Sequence, residues 1–301
     1  MAGRISFHEQ ISRNKWKSFF LLFFIFLVFV IIGYIVGIVL GPDYFMIVMI
    51  LAIIISISYI WIGYYNSHKI ALASVNAKPA SRTEYPEYHN LVEGLSLASG
   101  LPKPKLYIMN GSNINAFASG RDPKNSVICV TTGCLNKLDK HELEGVLAHE
   151  LSHIASYDIR FMTLTAVLVG MIAIISQIFL RSLFWGSFGR GKDRDNKAHI
   201  ILIIIGIFLA ILAPIVVSLV QLAISRKREY SADAGAVKFI RSPTGLINAL
   251  NKIKNEHSIN NMYISKAVAP LFISDPFKRK IDSLFATHPS LEKRIEVLRR
   301  M

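Results

Sequence analysis

Long uncharged apolar runs alternate with polar stretches along this chain of 301 residues. Residues 19–40 and 44–65 carry no charged side chain, and each run exceeds the roughly 20 residues that a helix needs to cross a bilayer. The intervening Gly41-Pro42-Asp43 predicts a tight turn. Three aromatic residues of the kind that favours a membrane interface end the second run: Trp61, Tyr64 and Tyr65. We therefore predict a transmembrane hairpin.

Residues 66–160 are polar enough to form a soluble α+β unit. Apolar positions recur at helical spacing over 84–99, which predicts a helix with one buried face. Two runs of β-branched and apolar residues, 105–109 and 126–131, predict buried strands. Between them, 113–119 is predicted to be an exposed edge strand, and the alternative is a plain surface loop.

A second pair of apolar runs, 161–180 and 199–224, is more polar than the first, as expected of helices that pack on protein or line a cavity. The positive-inside rule places the N-terminus, which holds four Lys/Arg residues, in the cytoplasm. The loop 181–198 is basic as well, so two full crossings would contradict that rule. The pair therefore either spans the bilayer or forms a partly embedded hairpin. Both arrangements return the C-terminal region to the side that holds 66–160.

Composition supports a membrane protein and argues against a nucleic-acid-binding one. Hydrophobic residues make up 52% of the chain, and the mean hydropathy is +0.41. The net charge is +14, but the Lys and Arg residues flank the apolar runs, where they meet anionic lipid head groups. No nucleic-acid recognition motif accompanies them. Cys129 and Cys134 lack zinc-knuckle spacing, and Cys129 is predicted to be a buried, reduced strand residue.

The motif that carries the most chemistry is His149-Glu150-x-x-His153. Asp139 and Glu142 have the spacing of a capping box, so a helix is predicted to begin there. On that helix His149 and His153 lie one turn apart, with Cβ atoms roughly 5–6 Å apart, so both imidazoles can bind one zinc ion. Glu150 points to the side of the pair, where it can activate a water molecule. The alternative is a chance match, which seldom falls on a capped amphipathic helix.

A catalytic zinc site keeps three protein ligands, so the histidine pair needs a third. The best candidate lies in the polar segment 225–233, where Glu229 and Asp233 are spaced one helical turn apart. One of these carboxylates can bind the metal while the next hydrogen-bonds the outer nitrogen of a ligating histidine. The alternative is an ordinary acidic pair on a solvated helix face.

Together these motifs resemble the HtpX-type membrane zinc metallopeptidases, which are relatives of the CAAX prenyl endopeptidases. The resemblance rests on His149-Glu150-x-x-His153, the block 225–233, Asn115-Ala116-Phe117-Ala118 and Thr287-His288-Pro289. It implies a mainly α membrane protein with a small α+β catalytic domain of the zincin (gluzincin) type and four apolar segments. It also implies one Zn²⁺ per chain, held by His149, His153 and Glu229, with Glu150 as the catalytic glutamate.

Further residues are assigned roles with the help of the same resemblance. Asn115 and Ala116 would bind substrate, because a free edge strand pairs with an extended peptide backbone. Asp158, just beyond the predicted zinc helix, either orients a ligating histidine or closes that helix. His288 would steady the oxyanion of the tetrahedral intermediate, with Arg294 as a companion, the alternative being a cap or surface residue.

The predicted function is a zinc endopeptidase of the cell membrane, with its catalytic domain in the cytoplasm. The resemblance implies quality control, in which misfolded or damaged membrane and other proteins are cleaved. A zinc scaffold or chaperone without turnover, and a protease for defined substrates such as prenylated peptides, are the alternatives. The expected partners are protein substrates and the lipid bilayer, with no nucleic acid, and the oligomeric state is undetermined. The predicted divisions are an N-terminus (1–18), the transmembrane hairpin (19–65), a first catalytic part (66–160), the second apolar pair (161–224) and a second catalytic part (225–301).

Overall fold

The structure is a computed structural model that describes residues 7–170, 226–256, 271–273 and 290–301, together with the isolated positions 172, 177 and 206. Helices dominate these ranges and surround one small sheet. The helices are α1 (Phe7–Leu40), α2 (Pro42–Ser74), α3 (Pro86–Ser99), α4 (Thr132–Lys137), α5 (Lys140–Ala155), α6 (158–170), α7 (Arg226–Ile240), α8 (Thr244–Asn255) and α9 (Leu291–Leu298). The strands are β1 (Lys78–Pro79), β2 (Lys105–Met109), β3 (Ala116–Gly120) and β4 (Ser126–Thr131), and a 3₁₀ turn (Pro123–Asn125) precedes β4.

Helices α1 and α2 form the predicted hairpin. Within the described ranges they are the two helices long and apolar enough to cross a membrane, and an 18-residue window has a mean hydropathy of 3.2 within Ile11–Leu40 and of 2.7 within Pro42–Ser74. Large apolar side chains such as Ile47, Ile54 and Trp61 are more than half exposed on their outer surface. A contiguous exposed apolar surface marks a contact site, and on helices of this length the fitting partner is lipid.

Both helices continue past the uncharged runs 19–40 and 44–65 that predicted them. The extensions are polar, but their inward side chains are buried against the rest of the protein. Asn14 and Ser18 of α1 and Ser67 of α2 are at most 3% exposed, and each makes a hydrogen bond. Helical structure therefore continues where packing on protein replaces contact with lipid.

The sheet has the strand order β1-β2-β4-β3. β2 and β4 run parallel, while β1 and β3 pair antiparallel with their neighbours. The predicted strands 105–109 and 126–131 are confirmed, and the strand predicted at 113–119 occupies 116–120 at the sheet edge. Its predicted exposure is wrong: every residue of β3 is buried, because α5 and α2 pack on the strand and the segment 271–273 pairs with its outer edge.

The two cysteines lie in the core around this sheet. Cys129 on β4 and Cys134 on α4 are both free and fully buried, so the prediction for Cys129 is confirmed. Burial raises the pKa of both thiols, which keeps them protonated and unreactive at neutral pH.

Helix α5 is fixed at its start and along one face. The predicted capping box is present: the Glu142 N–H donates to the Asp139 carboxylate at 2.9 Å, and the Asp139 N–H donates to the Glu142 carboxylate at 2.8 Å. Leu147, Leu151 and Ile154 are fully buried in the core that the helix shares with the sheet and α3. These constraints determine the rotation of the helix and hence the direction of its polar residues.

Helices α7 and α8 pack against α5, and α9 packs on both of them. At one point α5 and α7 approach so closely that a Cβ on Gly235 would lie 2.0 Å from the Ser152 Oγ. Only glycine leaves room for this approach. The segments 226–256 and 290–301 therefore share the core of the sheet domain, although about 70 residues lie between the end of α5 and the start of α7.

Helix α6 packs against α1. Their shared apolar cluster contains Leu21, Ile25, Val28, Phe161, Leu164 and Leu168. Thr163 and Thr165 are buried and donate hydrogen bonds to carbonyls of their own helix, at 2.6 and 2.8 Å. This confirms a helix at the start of the run 161–180. The rest of that run, apart from the isolated positions 172 and 177, and all of 199–224 except 206 lie outside the described residues, so the four-segment arrangement and the embedded hairpin stay predictions.

Candidate metal centre

Two histidines of α5 face each other in the interior of the protein. His149 and His153 lie one turn apart, with ring centroids 4.8 Å apart and ring planes at 90°. They are 0% and 4% exposed. Because α5 is capped and buried on its other face, the two rings are held in one position relative to the sheet.

Glu229 on α7 completes a group of three buried side chains that could hold a metal ion. One ligand atom from each of His149, His153 and Glu229 lies within 4.8 Å of the other two. The Glu229 Oε2 is 3.6 Å from the His149 Nε2, and its Oε1 is 3.7 Å from the His153 Nε2. Two imidazole nitrogens and one carboxylate at these separations can converge on a single metal ion.

The outer nitrogen of each imidazole meets its own carboxylate. The Asp233 Oδ1 lies 3.0 Å from the His149 Nδ1, and the Asp158 Oδ2 lies 3.1 Å from the His153 Nδ1. A carboxylate at Nδ1 keeps the proton on that nitrogen and leaves the Nε2 lone pair free for a metal. Asp233 therefore lies where it can hydrogen-bond the outer nitrogen of His149, as predicted. Asp158 lies beside His153, as the first of its two predicted roles, orienting a histidine, requires.

Arg294 on α9, near the C-terminus, contacts two acidic residues of this cluster. It is 0% exposed, and its Nη2 and Nε donate to the Asp233 carboxylate at 2.6 and 2.9 Å. Its Nη1 lies 3.2 Å from the Glu229 Oε2. A guanidinium with two hydrogen bonds to one carboxylate is a rigid contact, so Arg294 fixes the rotamers of these two acidic residues of α7.

The electrostatics of the cluster favour a cation. Burial and the nearby Arg294 both oppose a charge on His149, yet hydrogen bonds to Asp233 and Glu229 outweigh them and raise the pKa of His149 to about 9. Burial also opposes a charge on Asp233, but Arg294 and His149 overcome it and lower the pKa of this carboxyl. A metal cation would take the place of the imidazole proton, since ligands must be deprotonated to bind. The residues thus fit a divalent metal in both donor type and charge.

Glu150 lies beside the three ligands without belonging to their set. It is 1% exposed, and the backbone of Ala118 lies close to its carboxylate. Burial raises the pKa of Glu150, and the neighbouring His149 and His153 oppose that rise only in part. A raised pKa makes a carboxyl group a stronger base, and a base that can later release its proton is what general acid–base catalysis requires.

The outer edge of β3 pairs with a short segment of the chain itself. Phe272 pairs with Phe117 in an antiparallel bridge, and the Ile273 N–H donates to the Ala116 carbonyl at 3.0 Å. The Ile273 carbonyl accepts from the Arg294 Nη1 at 3.3 Å. The segment 271–273 therefore lies as an extended strand along the edge where substrate was predicted to bind.

Comparison with known proteins identifies the chain. Residues 82–301 match the model of Peptidase family M48, which is more than half of the sequence. The chain belongs to peptidase family M48. That membership makes it a metallopeptidase, in agreement with the resemblance found in the motifs.

Several curated M48 relatives match nearly the full length. A protein named Protease HtpX homolog from Caldanaerobacter subterraneus subsp. tengcongensis is 48% identical over 255 residues, 84% of each chain. Proteins of the same name from Dictyoglomus turgidum and Listeria monocytogenes are 42% and 40% identical, over 98% and 97% of this chain and 95% and 99% of their own. The crystal structure of S. mikatae Ste24p matches 96% of this chain and 66% of that longer chain, at 19% identity and a TM-score of 0.50. This last match supports the fold alone.

The structure gathers most of the residues that the M48-type motifs predicted. The three ligands, Glu150, Asp233 and Asp158 meet in one buried cluster, and Ala116 lies on the edge strand with Asn115 directly before it. The side-chain oxygen of Asn115 accepts a hydrogen bond from the Ala116 N–H at 3.0 Å. The predicted oxyanion residue His288 lies outside the described residues. Sequence reasoning missed three contacts: that of Ala118 with Glu150, that of 271–273 with β3, and that of Asn14 with Asp158.

Proposed function

We propose that this M48 protein is a zinc endopeptidase anchored in the membrane by α1 and α2. One observation carries the proposal: two imidazoles and one carboxylate converge in a buried site that also holds a carboxyl group with a raised pKa. Two nitrogen ligands and one oxygen ligand are a common donor set of catalytic zinc, whereas a purely structural zinc usually has four protein ligands. His149, His153 and Glu229 would hold the metal, one per chain, in a catalytic domain of gluzincin type.

The chemistry is divided between the metal and Glu150. When bound, zinc would polarise the substrate carbonyl and make water a stronger acid. Glu150 takes the proton of the attacking water and passes it to the amide nitrogen of the leaving group. Asp233 and Asp158 keep the two imidazoles oriented, while Arg294 holds Asp233 and Glu229. His288 remains our candidate for steadying the oxyanion.

Substrates are proposed to bind as extended strands along β3. The outward-facing backbone groups of this edge, among them the Ala116 carbonyl, can pair with any peptide backbone. Main-chain pairing gives affinity with little dependence on sequence, which suits misfolded or damaged proteins better than one defined target. Asn115 and Ala116 keep their assigned role in this binding. A preference for prenylated peptides has no specific support among the described residues.

We place the site at the cytoplasmic face of the cell membrane. The placement follows from the four Lys/Arg residues of the N-terminus, which favour a cytoplasmic location for it. It also follows from Asn14 of α1, which contacts Asp158 of the metal centre, so the site lies next to the end of a membrane helix. A protease at this position reaches the juxtamembrane segments of other membrane proteins, which supports a role in quality control.

Metal removal tests the proposal. We expect a strong chelator to abolish cleavage of an unfolded, fluorescently labelled protein by the detergent-purified chain, and one equivalent of zinc per chain to restore it. The reason is that Glu150 alone cannot polarise the peptide carbonyl. Turnover is measured as fluorescence released, and zinc content by elemental analysis. Cleavage that survives complete removal of zinc would contradict the proposal, and zinc binding without any cleavage would favour the scaffold alternative.

A further inference from the structure

A buried amide of the first membrane helix contacts the metal centre. Asn14 is 3% exposed, and its side-chain nitrogen donates to the Asp158 Oδ1 at 2.6 Å and to the Ser156 carbonyl at 3.0 Å. A carboxamide nitrogen carries two hydrogens, and both are used here. Both N–H groups of the Asn14 side chain therefore bind the turn that follows α5, 142 and 144 residues further along the chain.

The carboxylate that Asn14 contacts is the one that orients His153. The Asp158 Oδ2 lies 3.1 Å from the His153 Nδ1 and accepts from the Ser156 Oγ at 2.8 Å. Its other oxygen, Oδ1, faces Asn14. The carboxylate is thus held from two sides, and a chain of hydrogen bonds runs from α1 through Asp158 to a metal ligand.

A fixed Asp158 carboxylate keeps His153 able to bind a metal. The His153 Nε2 can bind a metal only if the ring keeps its Nδ1 proton and its direction, and Asp158 provides both. Asp158 is 1% exposed, so water does not replace a lost hydrogen-bond donor. Without Asn14 the Oδ1 would be buried without this donor, and the carboxylate would be free to rotate away from His153.

We propose that Asn14 is a positioning residue of the metal centre, through which the seating of membrane helix α1 sets the metal affinity of His153. The inference rests on the proposed metal site. It makes α1 part of the catalytic unit in addition to a membrane anchor. A chain whose first helix is displaced would bind zinc more weakly, although all three ligands remain in place.

The competing explanation is that Asn14 only docks α1 onto the domain. Ser18 offers a matched control, because it lies one turn further along the same face of α1 and is 2% exposed. Its Oγ donates to the Asn14 backbone carbonyl at 2.9 Å, so its removal disturbs the same helix without touching Asp158. A docking role predicts similar effects of both residues on stability and none on metal affinity.

The test measures zinc affinity of the full chain in detergent by competition with a chromogenic chelator. We expect Asn14→Ala and Asn14→Leu to weaken zinc binding about tenfold, the low end of the 10–100-fold range for partners of metal ligands. Asn14→Leu retains bulk and Asn14→Ala does not, so an equal loss in both assigns the effect to the missing donor. Ser18→Ala should bind zinc like the wild type.

Wild-type affinity in both Asn14 variants would overturn the inference, even if their zinc-free forms melt at lower temperature. A loss in Ser18→Ala as large as that in the Asn14 variants would overturn it too, because it would point to general helix docking. If the wild-type chain itself binds no zinc, the proposed function fails, and the inference fails with it. The wild-type measurement thus separates the two failures.

Discussion

Replacement of Glu150 by glutamine should leave the metal in place and remove turnover. We expect Glu150→Gln to hold one zinc per chain and to cleave an unfolded substrate roughly 100- to 10,000-fold more slowly than wild type, the usual contribution of a general acid–base. The amide has the same shape as the carboxylate, but it cannot take up a proton. Elemental zinc analysis and initial cleavage rates on one preparation measure both properties.

Two further variants serve as controls for this result. Glu144→Gln makes the same chemical change on the same helix, at a partly exposed side chain outside the cluster, and should retain wild-type activity. His149→Ala removes a ligand and should lose both zinc and turnover. If Glu150→Gln cleaves at a rate near that of wild type, Glu150 is not the general base, and the proposed division of roles is wrong.

Locking the segment 271–273 onto β3 should block cleavage. Phe117 and Phe272 lie opposite each other in the antiparallel bridge. The hydrogen bond beside them joins their neighbours, the Ile273 N–H and the Ala116 carbonyl, so Phe117 and Phe272 themselves form a non-hydrogen-bonded pair. In such a pair the Cα atoms are about 4.5 Å apart, within the roughly 4.4–6.8 Å that a disulfide spans. A Phe117→Cys, Phe272→Cys protein should therefore form a disulfide on oxidation.

The expected effect is large because this edge is where substrate is proposed to bind. Apparent affinity falls with the fraction of protein in the binding-competent state, so the oxidised protein should cleave about 100-fold more slowly or worse. Cys129 must be replaced by alanine in this background, because it lies opposite Phe117 on β4 and could capture the new thiol. Rates are compared before and after reduction of the same sample, which controls for the two lost phenylalanine rings.

The outcome decides how substrate reaches the metal. Activity that returns on reduction would mean that the chain's own strand must leave β3 before substrate binds. Equal activity in both redox forms would contradict this. It would mean that 271–273 stays paired with β3 during catalysis and that substrate binds at another surface. Single-cysteine variants should be insensitive to oxidation, which excludes damage by the oxidant as the cause.

Much of the centre could be predicted because its parts are local. The capping box, the helical spacing of the two histidines and the strands at 105–109 and 126–131 depend on neighbours in sequence, and the structure has all of them. Glu229 and Asp233 sit far from the histidines in sequence, yet their one-turn spacing on α7 mirrors that of the pair they serve. Such spacing survives in any tertiary arrangement of the helices.

The missed contacts depend on tertiary packing. Asn14 resembles an ordinary polar residue ahead of a membrane span, and nothing in its neighbourhood points to a residue 144 positions away. The segment 271–273 is too short for a strand pattern, so its pairing with β3 could not be foreseen, nor could the burial of that edge. Both contacts form only after separate helices dock.

Arg294 is a different case, because a signal was present. It sits between Lys293 and Ile295 in a run that looks like a charged surface helix. At helical spacing, however, it shares a face with Leu291 and Leu298, and the structure buries it completely among carboxylates. A charged residue on an apolar helix face predicts a buried ion pair, since burial of an unpaired charge is too costly.

The central claim is that His149, His153 and Glu229 hold a catalytic zinc, and X-ray absorption at the zinc edge tests it most directly. For the purified full chain we predict two imidazole nitrogens at about 2.0–2.1 Å and the remaining ligands as oxygen, with no sulfur. His153→Ala should lose zinc or one imidazole contribution. A spectrum with sulfur ligands, or one that is unchanged in His153→Ala, would place the metal elsewhere and contradict the account.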